Sequence, residues 1–203
     1  LLREDLEEAG REFCKRGFPW GIVSNGYALN ADRLEDLRAA GMGSITISLD
    51  GLEDSHNWLR MKDDSYANAL TALKTCSKFP DFTFEAVTCV NQKNVGQLED
   101  LKQELINAGV ANWRLFTIFP KGRAKDNQPL VLNGEQLRQL LDFIKKTRKN
   151  GEIRASFGCD GFLGPYEGQV RDGYFFCRAG INIGSVLIDG SISACPSLRG
   201  DYI

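Results

Sequence analysis

The stretch Ser48–Arg60 reads SLDGLEDSHNWLR and gathers a hydroxyl, a carboxylate and a guanidinium within a short span. An apolar run, Ile45–Leu49, precedes it, so Ser48 and Asp50 are expected at a strand end, with Arg60 following after a loop. Arginine can clamp a carboxylate or phosphate through two parallel hydrogen bonds. Asp50 can hydrogen-bond ribose hydroxyls. A ligand carrying both groups, such as a nucleoside bearing an amino acid, suits the set. His56 is the only histidine. A His-based metal site or a Ser-His-Asp triad therefore has little support, and His56 reads as structuring the loop. The plainer reading of every such strand end is a βα turn, because Asn, Asp and Gly make turns in any case.

The second set is thiols. Cysteines stand at 14, 76, 89, 159, 177 and 195. Cys177 and Cys195 bracket a hairpin signal as C-x12-G-x4-C, with Gly190 in the turn. A tight hairpin returns the chain on itself, so two thiolates could share one centre. Thiolates are soft ligands for iron–sulfur clusters or zinc. Cys159, in a glycine-rich loop, is a candidate third ligand. The alternative is unrelated buried thiols, which are common. Cys14, Cys76 and Cys89 lie on helix or strand patterns and read as core. No C-x-x-C occurs, so neither a zinc ribbon nor a thioredoxin motif is present.

These residues need elements to position them. Helical patterns end in glycine at Gly17, Gly41, Gly109 and Gly151. Short β-branched runs come next, at Trp20–Val23, Ile45–Leu49, Phe82–Val90, Trp113–Phe119 and Ile153–Phe157, as in parallel strands covered on both faces. The helices between are amphipathic. Leu34 and Leu37 share one face behind an Asn30 cap, and Ser65 is expected to cap the next helix. This alternation predicts an α/β fold with a parallel sheet, an open or partial barrel rather than a closed eight-fold one. Ligands of such folds gather at the C-terminal strand ends. Polar residues stand there at Ser24–Gly26, Ser48–Gly51, Asn91 and Asn94, and Phe119–Ala124. After Phe157 the chain turns glycine-rich, and Ser185–Ala194 reads as a hairpin around Asp189-Gly190. We therefore expect residues 1–157 to form the barrel part and residues 158–203 to begin a second, cysteine-bearing unit.

Composition excludes several classes. The 203 residues are 42% hydrophobic and 26% charged, with 25 basic against 27 acidic side chains, net −2. That balance speaks against a nonspecific nucleic-acid binder. No apolar run approaches the roughly 18 residues of a membrane span. The start, Leu1–Gly10, is charged and lacks a methionine, which suggests a chain cut from something longer.

Taken together, the motifs resemble radical S-adenosylmethionine (SAM) enzymes with a SPASM-type extension. Ser48–Arg60 is similar to that family's SLDG followed by H-[DN]-x-x-R on the fourth barrel strand. Cys177, Gly190 and Cys195 match its C-x(9–15)-G-x4-C segment, and Gly122–Ala124 its Gly-Arg-Ala after the sixth strand. The resemblance implies a partial (β/α)6 TIM-like barrel, N-terminally truncated, plus the start of a small β-hairpin extension. It implies that Ser48 and Arg60 hold the amino-acid end of SAM, that Asn25 and Asp50 line the same pocket, and that Cys159, Cys177 and Cys195 bind an auxiliary [4Fe–4S] cluster. The family's C-x3-C-x2-C and Gly-Gly-Glu-Pro motifs are missing from these residues. Leu1–Leu6 resembles the family's segment directly after Gly-Gly-Glu-Pro, so the chain is expected to begin after the first two barrel strands and to be inactive alone. An acidic residue follows the Cys195 position in sulfatase-maturing relatives. Here it is Pro196, which disfavours formylglycine formation. The implied partners are a peptide or protein substrate and an electron donor of flavodoxin or ferredoxin type, with no nucleic acid and no membrane, in a cytoplasmic setting. Alternatives are small-molecule cofactor biosynthesis, a degenerate non-catalytic cluster-binding module, and an unrelated α/β domain with structural zinc.

Overall fold

Each short β-branched run becomes a strand, and each amphipathic stretch packs on one side of the sheet they form. The computed structural model describes residues 1, 3–120, 124–125, 127–158, 161–187 and 189–195. The order is α1 (Leu6–Lys15), β1 (Trp20–Ser24), α2 (Ala31–Ala39), β2 (Met42–Ser48), α3 (Glu53–Arg60), α4 (Ser65–Cys76) and β3 (Thr83–Val90). Then come α5 (Leu98–Asn107), β4 (Asn112–Thr117), α6 (Gly134–Asn150), β5 (Arg154–Phe157), β6 (Ser185–Val186) and β7 (Ile192–Ser193). The first five strands are all parallel in the order β1-β2-β3-β4-β5. Strand order follows chain order without reversal. That is the winding of a barrel wall, not of a doubly wound sheet.

Local chemistry explains the boundaries. Asn30 accepts the Arg33 N–H at 2.8 Å and caps α2. Asn133 caps α6 in a reciprocal box with Gln136. The expected stops Gly17, Gly41, Gly109 and Gly151 all adopt positive φ.

The sheet is two-faced, and here the expectation of cover on both sides is corrected. One face carries Ile45, Ile47, Leu49, Ala86, Val90, Trp113, Leu115, Ala155 and Phe157, all in the core beneath the helices. Burial of each large aliphatic side chain there contributes about 1.5–3 kcal/mol. Strand periodicity puts the alternate positions Ser44, Thr46, Ser48, Thr83, Glu85, Asn112, Arg114 and Ser156 on the other face. That face is polar. Thr46 Oγ1 donates to Glu85 Oε1 at 2.8 Å, and Arg114 Nη2 pairs with the same oxygen. A cleft of about 470 Å³ opens over its lower part, lined in part by Ser44, Thr83 and Asn112.

Two further expectations change. Cys76 is core, but Cys14 is exposed, its Sγ lying over the Gly41 carbonyl at 3.6 Å rather than inside. Its place on α1 falls where the short helix meets the loop after α2, at the rim of the core. Ser65 does not cap α4. The capping position is Asp64, and Ser65 is the first helical residue, turned inward and buried.

Past β5, the chain first packs back on the sheet. Phe157 N–H donates to the Val170 carbonyl at 2.7 Å, and Val170 is fully buried in the main core. Asp172 accepts from Arg148 and Arg154, each at 2.5 Å. The hairpin β6–β7 comes after, antiparallel, with Val186 opposite Ile192. Its turn closes through Leu187 N–H to Ser191 O at 2.8 Å, with Gly190 at φ 86°. Among the described residues no helix is long and apolar enough to cross a membrane.

Candidate functional site at the strand ends

The carboxyl ends of β1, β2 and β3 lie side by side, and the turns leaving them build the site. The β2 end is the most tightly organised. Gly51, at φ 141°, turns the chain sharply into α3, a conformation that side chains other than glycine's rarely adopt. Arg60 therefore does not follow a loop, as its spacing suggested, but is the last residue of the helix Glu53–Arg60. The helix begins with Glu53 and Asp54 in its first turn and closes on Met61 in the left-handed region, φ 55°. One short helix carries Arg60 back over the strand end it left.

Asp50 is the centre of this return. Its carboxylate Oδ2 accepts from Arg60 Nε at 2.7 Å and lies 2.5 Å from Arg60 Nη2. Oδ1 accepts the Cys89 N–H from β3 at 2.9 Å. The Asp50 N–H donates to His56 Nδ1 at 2.9 Å, and its carbonyl accepts from Asn94 Nδ2 at 2.6 Å. Asp50 is 1% exposed. A buried carboxylate is tolerable only when paired and hydrogen-bonded, as it is here. The residue expected to line the ligand pocket is thus fully engaged within the protein. It holds Arg60.

His56 is fully buried between three elements. Nδ1 accepts from Asp50, so the ring proton sits on Nε2, 3.1 Å from Ser65 Oγ on α4. Burial pushes its pKa from 6.5 down to about 4. The Asp50 charge opposes that shift and the Arg60 charge adds to it. The ring is neutral at ordinary pH. Burial, reinforced by Asp50, likewise pushes the Cys89 thiol far up.

Asn94 does for β3 what Gly51 and His56 do for β2. Fully buried, it donates to the Asp50 and Cys89 carbonyls at 2.6 and 2.9 Å and accepts the Asn91 N–H at 2.8 Å. Among the described residues, the Ser48 hydroxyl and Arg60 Nη1 have no protein partner, which leaves a hydroxyl and a guanidinium edge for a ligand. Asn25 lies exposed beyond β1, its Oδ1 accepting the Tyr27 N–H at 3.2 Å. Tyr27 reaches Asp64 at 3.0 Å and carries Lys62 over its ring, tying the β1 end to the α3–α4 loop.

The thiols are less complete. Cys177 is exposed and Cys195 half-buried. Their segments approach: a Cβ on Gly180 would stand 3.4 Å from the Ala194 Cβ. Cys159, Gly122, Arg123 and Pro196 lie outside the described residues. Among the described residues no three His, Cys, Asp or Glu side chains converge on a metal-sized site. Sequence reasoning missed Ser65 as the His56 partner and the Thr46–Glu85–Arg114 ladder. The polar alternation of SITIS and TFEAV was a visible signal for the ladder.

The sequence profile of the Radical SAM superfamily matches residues 1–109. The chain belongs to that superfamily. It is 23% identical over 160 residues to the AdoMet-dependent heme synthase of Methanosarcina barkeri, covering 78% of this chain and 45% of that protein. It is 26% identical over 167 residues to the sporulation killing factor maturation protein SkfB of Bacillus subtilis, covering 75% of this chain and 40% of that one. Streptococcus suis SuiB bound to S-adenosylmethionine superposes with a TM-score of 0.68 at 14% identity, over 97% of this chain and 47% of SuiB. The chain thus spans less than half the length of these relatives, and the structural likeness speaks for the fold, a parallel α/β barrel wall.

Superfamily membership implies SAM and a [4Fe–4S] cluster. The β2 end fits the first: a free hydroxyl and a preset guanidinium are donors suited to a carboxylate. For a cluster, Cys177 and Cys195 have the right chemistry, but two thiols do not make a complete ligand set.

Proposed function

We propose that this chain is part of a radical SAM enzyme with a SPASM-type extension that modifies a peptide or protein. The observation that carries this reading is the Arg60 guanidinium, held by the buried Asp50 at a strand end two residues after Ser48, whose hydroxyl has no partner among the described residues. A [4Fe–4S] cluster, when bound, would supply one electron to SAM, and the chemistry this would support is release of methionine with transfer of a substrate hydrogen atom to the 5′-deoxyadenosyl group. The residues of this chain bind and orient. Arg60 and Ser48 hold the amino-acid carboxylate. Asp50 offsets the charge of Arg60 and fixes its angle. Asn25 stands at the neighbouring strand end for the remainder of the ligand. Cys159, Cys177 and Cys195 are assigned to an auxiliary [4Fe–4S] cluster. A flavodoxin- or ferredoxin-type protein is assigned as electron donor.

Two similarities support a peptide substrate: SkfB, a maturation protein, and SuiB, solved also with its precursor peptide SuiA at a TM-score of 0.62. A second reading, small-molecule cofactor chemistry, is supported by the heme synthase of M. barkeri. The test is anaerobic incubation of the intact protein with SAM and reductant. Formation of 5′-deoxyadenosine supports the reading, and its absence from cluster-replete protein refutes it. Sequence upstream of Leu1 bearing C-x3-C-x2-C would add the catalytic cluster ligands.

A further inference from the structure

Outside the groups assigned to the ligand, the site holds one histidine, fully buried with both ring nitrogens engaged. We propose that His56, acting through the backbone of Asp50, is a positioning residue for the Arg60 clamp. This rests on the reading that Arg60 holds the carboxylate of SAM.

The argument begins with Asp50. Each of its polar groups has a partner: N–H to His56, carbonyl to Asn94, Oδ1 to Cys89 and Oδ2 to Arg60. Three of these partners are themselves anchored. Cys89 belongs to β3, Asn94 is locked to the turn after β3, and His56 is braced against Ser65 on α4. The carboxylate can then take one orientation, and that orientation sets the guanidinium. Without the His56 lone pair, the Asp50 N–H would be buried without a partner, which costs about 1–3 kcal/mol. The turn would shift to find one, and the carboxylate would turn with it. A core histidine needs no lone pair aimed at a backbone donor. This one has it 2.9 Å away, in the residue that grips Arg60. The ring must also be neutral, since a proton on Nδ1 would oppose the Asp50 N–H, and its burial keeps it so.

The prediction separates the two ends of the ligand. His56→Leu removes the acceptor at similar volume. His56→Asn keeps an acceptor oxygen near the Nδ1 position. The probes are SAM and 5′-methylthioadenosine, which has the nucleoside and thioether but no amino-acid end. Calorimetry on the intact, anaerobically prepared protein is expected to show roughly tenfold weaker SAM binding for His56→Leu. Binding of 5′-methylthioadenosine should be unchanged, and His56→Asn should regain most of the SAM affinity. Equal losses for both probes would show a merely structural histidine and overturn the proposal, as would no loss for SAM. Failure of the unaltered protein to bind SAM would instead remove the functional reading, and this inference with it. A measurement independent of variants and ligands is the ¹⁵N spectrum of the imidazole. A proton on Nε2 is expected, and a proton on Nδ1 overturns the relay.

Discussion

Ten residues apart in sequence, Asp50 and Arg60 meet through two contacts to a single carboxylate oxygen, Nε at 2.7 Å and Nη2 at 2.5 Å. The acid is buried, whereas the arginine side chain keeps 32% of its surface. The pair is therefore asymmetric: Asp50 looks inward to the fold, and Arg60 presents its remaining edge outward. Arg60→Ala should weaken SAM binding by at least roughly tenfold, since a charge-assisted bond is lost. It should also lower stability by about 1–3 kcal/mol, because a buried acceptor loses its charged donor. Calorimetry reads the first and urea unfolding the second. Unchanged SAM affinity would remove Arg60 from the ligand site.

A pH dependence arises from His56. Its folded pKa is depressed to about 4 from 6.5. Between those values the unfolded chain takes up a proton that the folded chain excludes. The contribution is fully present above pH 6.5 and is lost as pH falls through 4, up to about 3 kcal/mol. Urea midpoints taken between pH 7.5 and 4.5 should fall more steeply for the unaltered protein than for His56→Asn. Parallel slopes would contradict a buried neutral ring.

Beneath the site, on the helix side of the sheet, Thr88 ties β3 to β4 and to the residue directly after β2. Its hydroxyl donates to the Leu49 carbonyl at 2.6 Å and accepts from Trp113 Nε1 at 2.8 Å. Thr88→Val keeps the shape and strands both groups without water. Destabilisation of about 2–4 kcal/mol is expected, read by urea unfolding followed through tryptophan fluorescence. A change below about 1 kcal/mol would mean that the groups find other partners.

Gly51 tests the turn. A Cβ there would stand 3.0 Å from Ser55 Cβ and 3.2 Å from Gln97 Oε1, on a backbone at φ 141°. Gly51→Ala should cost about 1–3 kcal/mol and weaken SAM binding, since Asp50 precedes it directly. Full retention of both would show that the turn has room to relax.

The cysteine assignment predicts a metal count. Cys177→Ala combined with Cys195→Ala in the intact protein should lower iron by about four atoms per chain. Iron equal to the unaltered protein would leave these thiols without a cluster.

Much of this was legible along the chain because its causes are local. Alternation of amphipathic and β-branched stretches needs only side-chain spacing, and the glycine stops and the Asn30 cap need only neighbouring backbone. The SLDG stretch and its arginine were visible for the same reason. The roles within it were not. Asp50 has the composition of a ligand residue. Whether it faces a ligand or the protein depends on the Cys89 N–H, 39 residues away, and on a helix that carries Arg60 back over the strand end. Ser65 stood at a helix start and looked like a cap until α4 packed beside α3 and His56 claimed its hydroxyl. The polar face of the sheet, too, depended on placement, because spacing alone does not say whether helices cover one side or both. The sequence by itself determined the elements, their order and the residue types at the strand ends. Tertiary structure alone decided which of those polar groups the protein uses up on itself, because each such bond joins residues that only the folded sheet brings together.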